Sequence, residues 1–232
     1  MICSGWQSIC HSDRDVLLIL PGRIGYEEGM KLQDELLEGR IKGVLPDTLI
    51  LLEHDEAITI GRSGSEEDIL VSREMLREMG IGLYFVNRGG KATYHGPGQI
   101  VGYPIMDISR FGSDIRRYVG MIEDFIILFL EGMGIEGRRI DGNIGVWVGD
   151  EKIASIGIGV KRWISFHGFS LNVDPDLSRF DLIRPCGMEG VRMTSISKLI
   201  GRGVSVWECI GGLRKAFEDV FGVRLREWRS SL

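Results

Sequence analysis

The chain has 232 residues, of which 44% are hydrophobic and 26% are charged, and these shares exclude a mainly disordered protein. Its 28 basic and 33 acidic residues give a formal net charge of −5, which excludes a general nucleic-acid binder, because such a protein needs a dominant positive field. No linker, internal repeat or low-complexity segment divides the sequence, so we expect one domain over residues 1–232.

The first half of the chain predicts alternating strands and helices. Residues 16–20 form an apolar run typical of a buried strand, and the Pro21-Gly22 pair is expected to end it. A helix follows, indicated by apolar residues at helical spacing: Tyr26, Met30, Leu37 and Ile41. The remaining elements of this half are strands at 48–53, 57–60, 81–86 and 99–106, a short helix at 72–79, and a glycine-rich loop at 87–98.

The second half opens with the clearest helix, residues 114–133, whose broad apolar stripe is followed by Gly134 as a C-terminal cap. Three strands are predicted at 145–148, 152–160 and 164–173. Ser205 and Glu208 then form a capping box that opens a last helix. The pattern predicts an α/β (α+β) fold with a mixed sheet flanked by helices.

The spacing of the cysteines and the length of the apolar runs indicate the cellular compartment. The four cysteines are irregularly spaced and form no CxxC pair, which is typical of a reduced cytoplasmic protein. No signal peptide is recognised, and the most apolar stretch, residues 125–130, is too short to span a bilayer. We therefore expect a cytoplasmic protein without a membrane partner.

One segment combines glycines with reactive side chains. Residues 88–99 read RGGKATYHGPGQ, which favours a ligand-binding loop over a plain hairpin. The segment is not a phosphate-binding Walker loop, because Phe85 stands where that motif needs its first glycine. His95 and His167 are possible metal ligands, but no third His or Cys lies at a suitable spacing, so no metal site is expected.

Two further residues are candidates for chemistry. Lys152 starts an apolar strand, a position where most lysines are simply solvated. Cys186 lies in a Pro-Cys-Gly sequence, where the proline fixes the chain and the glycine opens access to the thiol. From the residues alone, Cys186 is as much a candidate nucleophile as a small buried hydrophobic residue.

Taken together, these segments resemble the lipoyl(octanoyl) transferase family. RGGKATYHGPGQ at 88–99 is followed, in the family's order and spacing, by KIASIG at 152–157, HGFSLNV at 167–173 and PCG at 185–187. The weaker LEHDEAITIGRSG at 52–64 also matches, so the likeness spans roughly residues 50–200. Ser170 departs from the pattern: alanine is usual there, and serine adds a hydroxyl group to the expected acyl site.

The resemblance implies the catalytic fold of biotin and lipoate protein ligases and an acyl transfer that needs no cofactor. Octanoyl would pass from octanoyl-acyl carrier protein to a lysine on the lipoyl domains of 2-oxoacid dehydrogenases and on the glycine cleavage H protein, the first step of endogenous protein lipoylation. Two alternatives stay open: an ATP-dependent ligase on the same fold, and a non-catalytic acyl-binding module or thiol sensor.

The resemblance also implies roles for single residues. Cys186 matches the acyl-accepting nucleophile, and Lys152 matches the residue that favours its thiolate. His95 is a second candidate for proton transfer, and Tyr94 and Phe169 are expected to form apolar walls. The substrate-binding residues implied are Arg88, Gly89, Gly90, Lys91, Ala92, Thr93, Tyr94, His95, Ser155, Ile156, Gly157, Gly168, Phe169 and Ser170.

Overall fold

The computed structural model describes residue 10 and residues 12–187 and 190–228. Its strands are β1 (Asp15–Ile24), β2 (Thr48–His54), β3 (Ala57–Ile60), β4 (Gly82–Phe85), β5 (Ala92–His95), β6 (Gln99–Ile105), β7 (Arg138–Ile140), β8 (Asn143–Val148), β9 (Glu151–Lys161), β10 (Ile164–Asn172), β11 (Arg192–Met193) and β12 (Arg224–Glu227). Its α-helices are α1 (Tyr26–Ile41), α2 (Arg73–Glu78), α3 (Ile115–Gly132), α4 (Ile196–Ile200) and α5 (Val206–Phe221).

The strands of the described residues form a large and a small sheet. The large sheet has the order β12-β1-β2-β6-β10-β9-β8-β7, with β11 paired to β9. It is mixed, because β12, β1 and β2 run parallel while β2 to β8 pair in antiparallel fashion. The small sheet has the order β4-β3-β5. The predicted mixed α/β fold is therefore confirmed.

Helices cover both faces of the large sheet. The apolar sides of α3 and α5 pack over one face, and α1 covers the other. Phe125 of α3 meets Phe169 of β10 edge to face, with ring centroids 5.1 Å apart, so the helix supports a strand that carries predicted site residues. None of the described helices is long and apolar enough to cross a membrane.

Most predicted elements are confirmed within a residue or two, including the capping box of Ser205 and Glu208 that opens α5. Two predictions about these elements are wrong. Pro21-Gly22 does not end β1, because a register shift between Ile19 and Gly22 absorbs the proline, and the strand continues to Ile24. Residues 87–98 are not a loop throughout, because β5 lies within them and pairs with β3.

Candidate active site

Folding brings Lys152 and Cys186 together. The lysine Nζ lies 3.1 Å from the cysteine Sγ, although the two residues are 34 positions apart in sequence. Nζ also donates to the carbonyl oxygen of Ile144 at 2.8 Å and lies 5.2 Å from the centre of the Trp147 ring. Lys152 is only 1% exposed, so it is not one of the solvated lysines common at strand starts. Lys152 Nζ is therefore buried in contact with the thiol, a carbonyl oxygen and an aromatic ring.

Cys186 is held in an unusual backbone conformation. It sits in the short turn Pro185–Gly187 with φ +56°, in the left-handed region that non-glycine residues rarely adopt. The turn packs against β5 of the small sheet. It is anchored by Arg184, whose N–H donates to the carbonyl oxygen of Asp68 at 2.8 Å. This anchoring turns the thiol toward Lys152 on the large sheet.

A pocket opens beside Cys186 between β5, β6, β9 and β10. Apolar and polar side chains share its wall with several glycines. Its lining residues are Arg88, Gly90, Lys91, Ala92, Thr93, His95, Val101, Tyr103, Ser155, Ile156, Gly157, His167, Gly168, Phe169, Ser170 and Cys186. The Cys186 thiol therefore lies at the wall of a small, partly enclosed pocket.

The glycines of this region let the backbone segments approach one another closely. Gly157 and Gly168 face each other across β9 and β10. A Cβ atom on Gly157 would lie 2.6 Å from the carbonyl oxygen of Gly89, and one on Gly168 would lie 2.1 Å from that of Gly102. Larger residues would push apart the segments that enclose the pocket.

All but two of the predicted substrate-binding residues line the pocket. Gly89 instead packs its backbone on β9, where its N–H donates to the carbonyl oxygen of Ile158 at 2.8 Å. Tyr94 points away: its ring lies 5.5 Å from that of Phe180, and its hydroxyl donates to Glu56 at 2.9 Å. The prediction that Tyr94 walls the pocket is wrong, because alternate residues of β5 face opposite sides. Phe169 borders the pocket, but its ring packs against Phe125 of α3, on the face of the sheet opposite to Val101.

Arg88 is buried, and its guanidinium is held by the backbone around it. It donates to the carbonyl oxygen and hydroxyl of Thr59 at 2.8 and 2.7 Å and to the carbonyl oxygen of Gly89 at 3.0 Å. Burial lowers the pKa of Arg88 from its ordinary value. These hydrogen bonds hold the segment that begins at Arg88 against Thr59 of β3, and Arg88 thereby forms part of the pocket wall.

The hydrogen bonds of two side-chain amides, Gln99 and Asn172, decide which ring nitrogen of His95 carries the proton. The Gln99 amide nitrogen donates to Asn172 Oδ1 at 2.9 Å, and the Asn172 amide donates to the carbonyl oxygen of Thr194 at 3.0 Å. The remaining amide oxygen of Gln99, 2.8 Å from His95 Nδ1, must accept, so Nδ1 carries the proton. Burial lowers the pKa of His95 to about 3, which leaves the ring neutral with Nε2 as an acceptor.

Three pocket residues escaped the sequence-based prediction as substrate contacts: Val101, Tyr103 and His167. Val101 and Tyr103 follow Gln99 at a spacing of two, which is the signal that could have placed them on one face of β6. His54 does not line the pocket but contacts one of these residues: its Nε2 lies 2.8 Å from the Tyr103 hydroxyl. In the part of the chain that the structure describes, no group of three or more His, Cys, Asp or Glu residues could hold a metal ion.

These buried histidines predict that acid destabilises the fold. Burial lowers the pKa of His54 to about 4 and of His95 and His167 to about 3. As pH falls through about 6.5, the unfolded chain takes up protons that the folded chain accepts only near pH 3–4, so stability present above pH 6.5 is lost. We expect urea unfolding to show a loss of about 2 kcal/mol per histidine between pH 7 and pH 5.

The matched variant His54→Gln should reduce that loss by about a third, whatever its effect at pH 7, because it removes one of three similar titrating groups. An unfolding free energy that stays constant from pH 7 to pH 5 in the parent chain would contradict the prediction.

The fold and the sequence both match a known family. Residues 25–218 match the lipoyl protein ligase A/B catalytic domain, and the chain belongs to that family. A bipartite lipoate protein ligase from Thermoplasma acidophilum shares the fold at TM-score 0.73 and 18% identity, with 92% of this chain and 86% of that chain covered. Biotin protein ligase from Aquifex aeolicus shares it at TM-score 0.52 and 11% identity, covering 89% and 68%.

Curated relatives narrow this class. An octanoyltransferase of Caldicellulosiruptor saccharolyticus is 47% identical over 205 residues, which cover 88% of this chain and 87% of that protein. Another, from Geobacter metallireducens, is 40% identical over 206 residues, covering 89% and 92%. Within the ligase-like family, the chain is a member of the octanoyltransferases, which are acyltransferases, as the sequence motifs predicted.

Proposed function

We propose that this protein transfers octanoyl from octanoyl-acyl carrier protein to a lysine of lipoyl domains through a thioester on Cys186. The observation that carries the proposal is the 3.1 Å contact between Lys152 Nζ and Cys186 Sγ at the wall of the pocket. The acceptors are the lipoyl domains of 2-oxoacid dehydrogenases and the glycine cleavage H protein. The free thiols of Cys10, Cys186 and Cys209 suit the reducing cytoplasm proposed as the compartment.

In the first half-reaction, the Cys186 thiolate attacks the carbonyl carbon of the octanoyl thioester. The Lys152 ammonium beside Sγ favours the thiolate over the thiol. The bond from the carbonyl carbon to Sγ forms, the bond to the carrier's sulfur breaks, and the departing carrier thiolate takes a proton from Lys152. One thioester replaces another of similar energy, so the acyl group stays reactive and ATP is not needed.

In the second half-reaction, the neutral amine of the acceptor lysine attacks the acyl-enzyme. The amide bond forms, the bond to Sγ breaks, and the Cys186 thiolate leaves. Lys152, neutral after the first step, accepts the proton that the amine loses and regains its charge. His95 borders the same pocket, but burial lowers its pKa to about 3, so its Nε2 is a weak base and Lys152 is the proton acceptor. The proton and charge balance of the site is thereby restored after each cycle.

The pocket offers the donor an apolar surface. Val101 and Tyr103, which lie on one face of β6, supply apolar contacts for a medium-length acyl chain. Ser170 adds a hydroxyl on the same wall and is buried. The glycine-lined approach to Cys186 leaves the carbonyl end of the chain accessible to the thiol and to the acceptor amine.

The test distinguishes three functions for this fold: an octanoyltransferase, an ATP-dependent ligase and an acyl-binding module. The protein is mixed with octanoyl-carrier protein and a lipoyl domain in the absence of ATP, and the mass of each partner is followed. Octanoylation of the lipoyl domain without ATP is expected. A strict requirement for ATP would indicate a ligase, and an acylated protein without transfer would indicate an acyl-binding module; either result would overturn the proposal.

A further inference from the structure

One peptide group connects the Lys152 ammonium to a buried carboxylate. Its carbonyl oxygen, belonging to Ile144, accepts from Lys152 Nζ at 2.8 Å. Its N–H, belonging to Gly145, donates to Glu123 Oε1 at 2.9 Å. The carboxylate and the ammonium therefore bind opposite ends of the same dipole, and the ammonium in turn contacts Cys186 Sγ at 3.1 Å.

Glu123 is built into this position. Its side chain is only 10% exposed, and its second oxygen accepts from Arg139 Nε at 2.7 Å. A carboxyl group this deeply buried needs hydrogen-bond partners of this kind. Asp124, the next residue of α3, pairs with the same arginine at 2.7 Å but is 52% exposed. The two neighbouring carboxylates therefore share Arg139, while the bond to Gly145 N–H belongs to Glu123.

Gly145 is shaped for the same contact. It has φ +128°, a conformation that side-chain-bearing residues rarely adopt. A Cβ atom there would lie 2.5 Å from the carbonyl oxygen of Ala154 and 2.6 Å from Lys152 Cε. The peptide thus lies directly on the lysine side chain, and its orientation decides whether a carbonyl oxygen faces Nζ.

We propose that Glu123 is a positioning residue for acyl transfer, which fixes the peptide of residues 144 and 145 so that Lys152 is held against Cys186. The proposal rests on the proposed function of that pair. A charge-assisted hydrogen bond at the N–H polarises the peptide and makes its carbonyl a stronger acceptor for the ammonium. Both effects favour the charged lysine and hence the thiolate.

The test compares Glu123→Gln with Asp124→Asn. Both remove one carboxylate of α3 and one partner of Arg139, but only Glu123→Gln touches the Gly145 peptide. Alkylation of Cys186 by iodoacetamide is measured against pH. We expect the pH of half-maximal rate to rise in Glu123→Gln and to stay at the wild-type value in Asp124→Asn. An unchanged midpoint in Glu123→Gln would overturn the proposal.

The direction in which the pH of half-maximal alkylation shifts distinguishes a positioning role of Glu123 from a purely electrostatic one. A carboxylate that acted only through its field would repel the thiolate, and its removal would lower the midpoint instead. For octanoyl transfer, Glu123→Gln should lower kcat by about 10- to 100-fold, the effect of a misplaced reacting group, with KM nearly unchanged. A loss confined to thermal stability would show a merely structural role and contradict the proposal.

A second measurement does not depend on the folding of the Glu123 variant. In protein labelled with ¹⁵N-glycine, the Gly145 amide resonance should move on Lys152→Met, because the carbonyl of that peptide loses its ammonium. Gly149, in the turn after β8, serves as the reference signal. An unmoved Gly145 resonance would overturn the proposal. Alkylation and resonance shifts need no acyl substrate, so they stay informative even if octanoyl transfer itself fails.

Discussion

Cys186→Ala is expected to abolish octanoyl transfer, with a loss of about a thousandfold or more, because the variant has no group to carry the acyl chain. After mixing with octanoyl-carrier protein, the intact mass of the wild-type chain should rise by one octanoyl group. Hydroxylamine should remove that group, since it cleaves thioesters. The alanine variant should show neither the adduct nor turnover.

Cys209→Ala provides the matched control. Cys209 is buried in α5, and burial raises the pKa of its thiol to about 11, so it is a poor nucleophile at neutral pH. This variant should be acylated and should turn over like the wild type. An octanoyl adduct that persisted in Cys186→Ala, or one lost in Cys209→Ala, would show that Cys186 is not the acyl carrier.

Lys152→Met is expected to lower transfer by about 10²- to 10⁴-fold, the range of a lost general acid–base group. Methionine keeps the unbranched stem but removes the ammonium that contacts Sγ and the carbonyl oxygen of Ile144. Alkylation of Cys186 should then require a higher pH. Lys152→Arg retains a charge but cannot act as a base, so it should preserve alkylation better than transfer.

The control for this variant is Lys198→Met. Lys198 is 50% exposed and pairs with Glu151 at 3.0 Å, so its loss removes one cation near the start of β9 without touching the thiol. Transfer and the alkylation profile should stay close to those of the wild type. If Lys152→Met left the alkylation profile unchanged, the lysine would not activate Cys186, and the first step of the mechanism would have to be revised.

The periodic elements of this chain could be predicted from sequence because their patterns are local. Strands β9 and β10 were expected at 152–160 and 164–173 and are found at Glu151–Lys161 and Ile164–Asn172. Strand β5 has no such pattern: its four residues stand among glycines, and only pairing with β3 makes them a strand. Because β5 was not predicted, the sequence analysis could not show that the side chains of Tyr94 and His95 point to opposite sides of a strand.

The motifs named most residues that border the candidate site, but its geometry could not be predicted from them. The motifs indicated Lys152 and Cys186, yet their contact depends on how the turn Pro185–Gly187 packs, which no local pattern encodes. Glu123 was missed although a signal was present. It lies four residues after Val119 and three before Ile126, so it is a carboxylate on the apolar side of α3.

Lys152 and Cys186 are associated with two different sheets, and this arrangement has a consequence for folding. The thiol is carried by a turn that packs against the small sheet, whereas Lys152 lies on β9 of the large sheet. Before the two sheets have packed together, Cys186 lacks its contact with Lys152 Nζ. In the proposed mechanism, activation of Cys186 therefore requires the two sheets to be packed together, so incompletely folded molecules are not expected to take up acyl groups that they are unable to pass on.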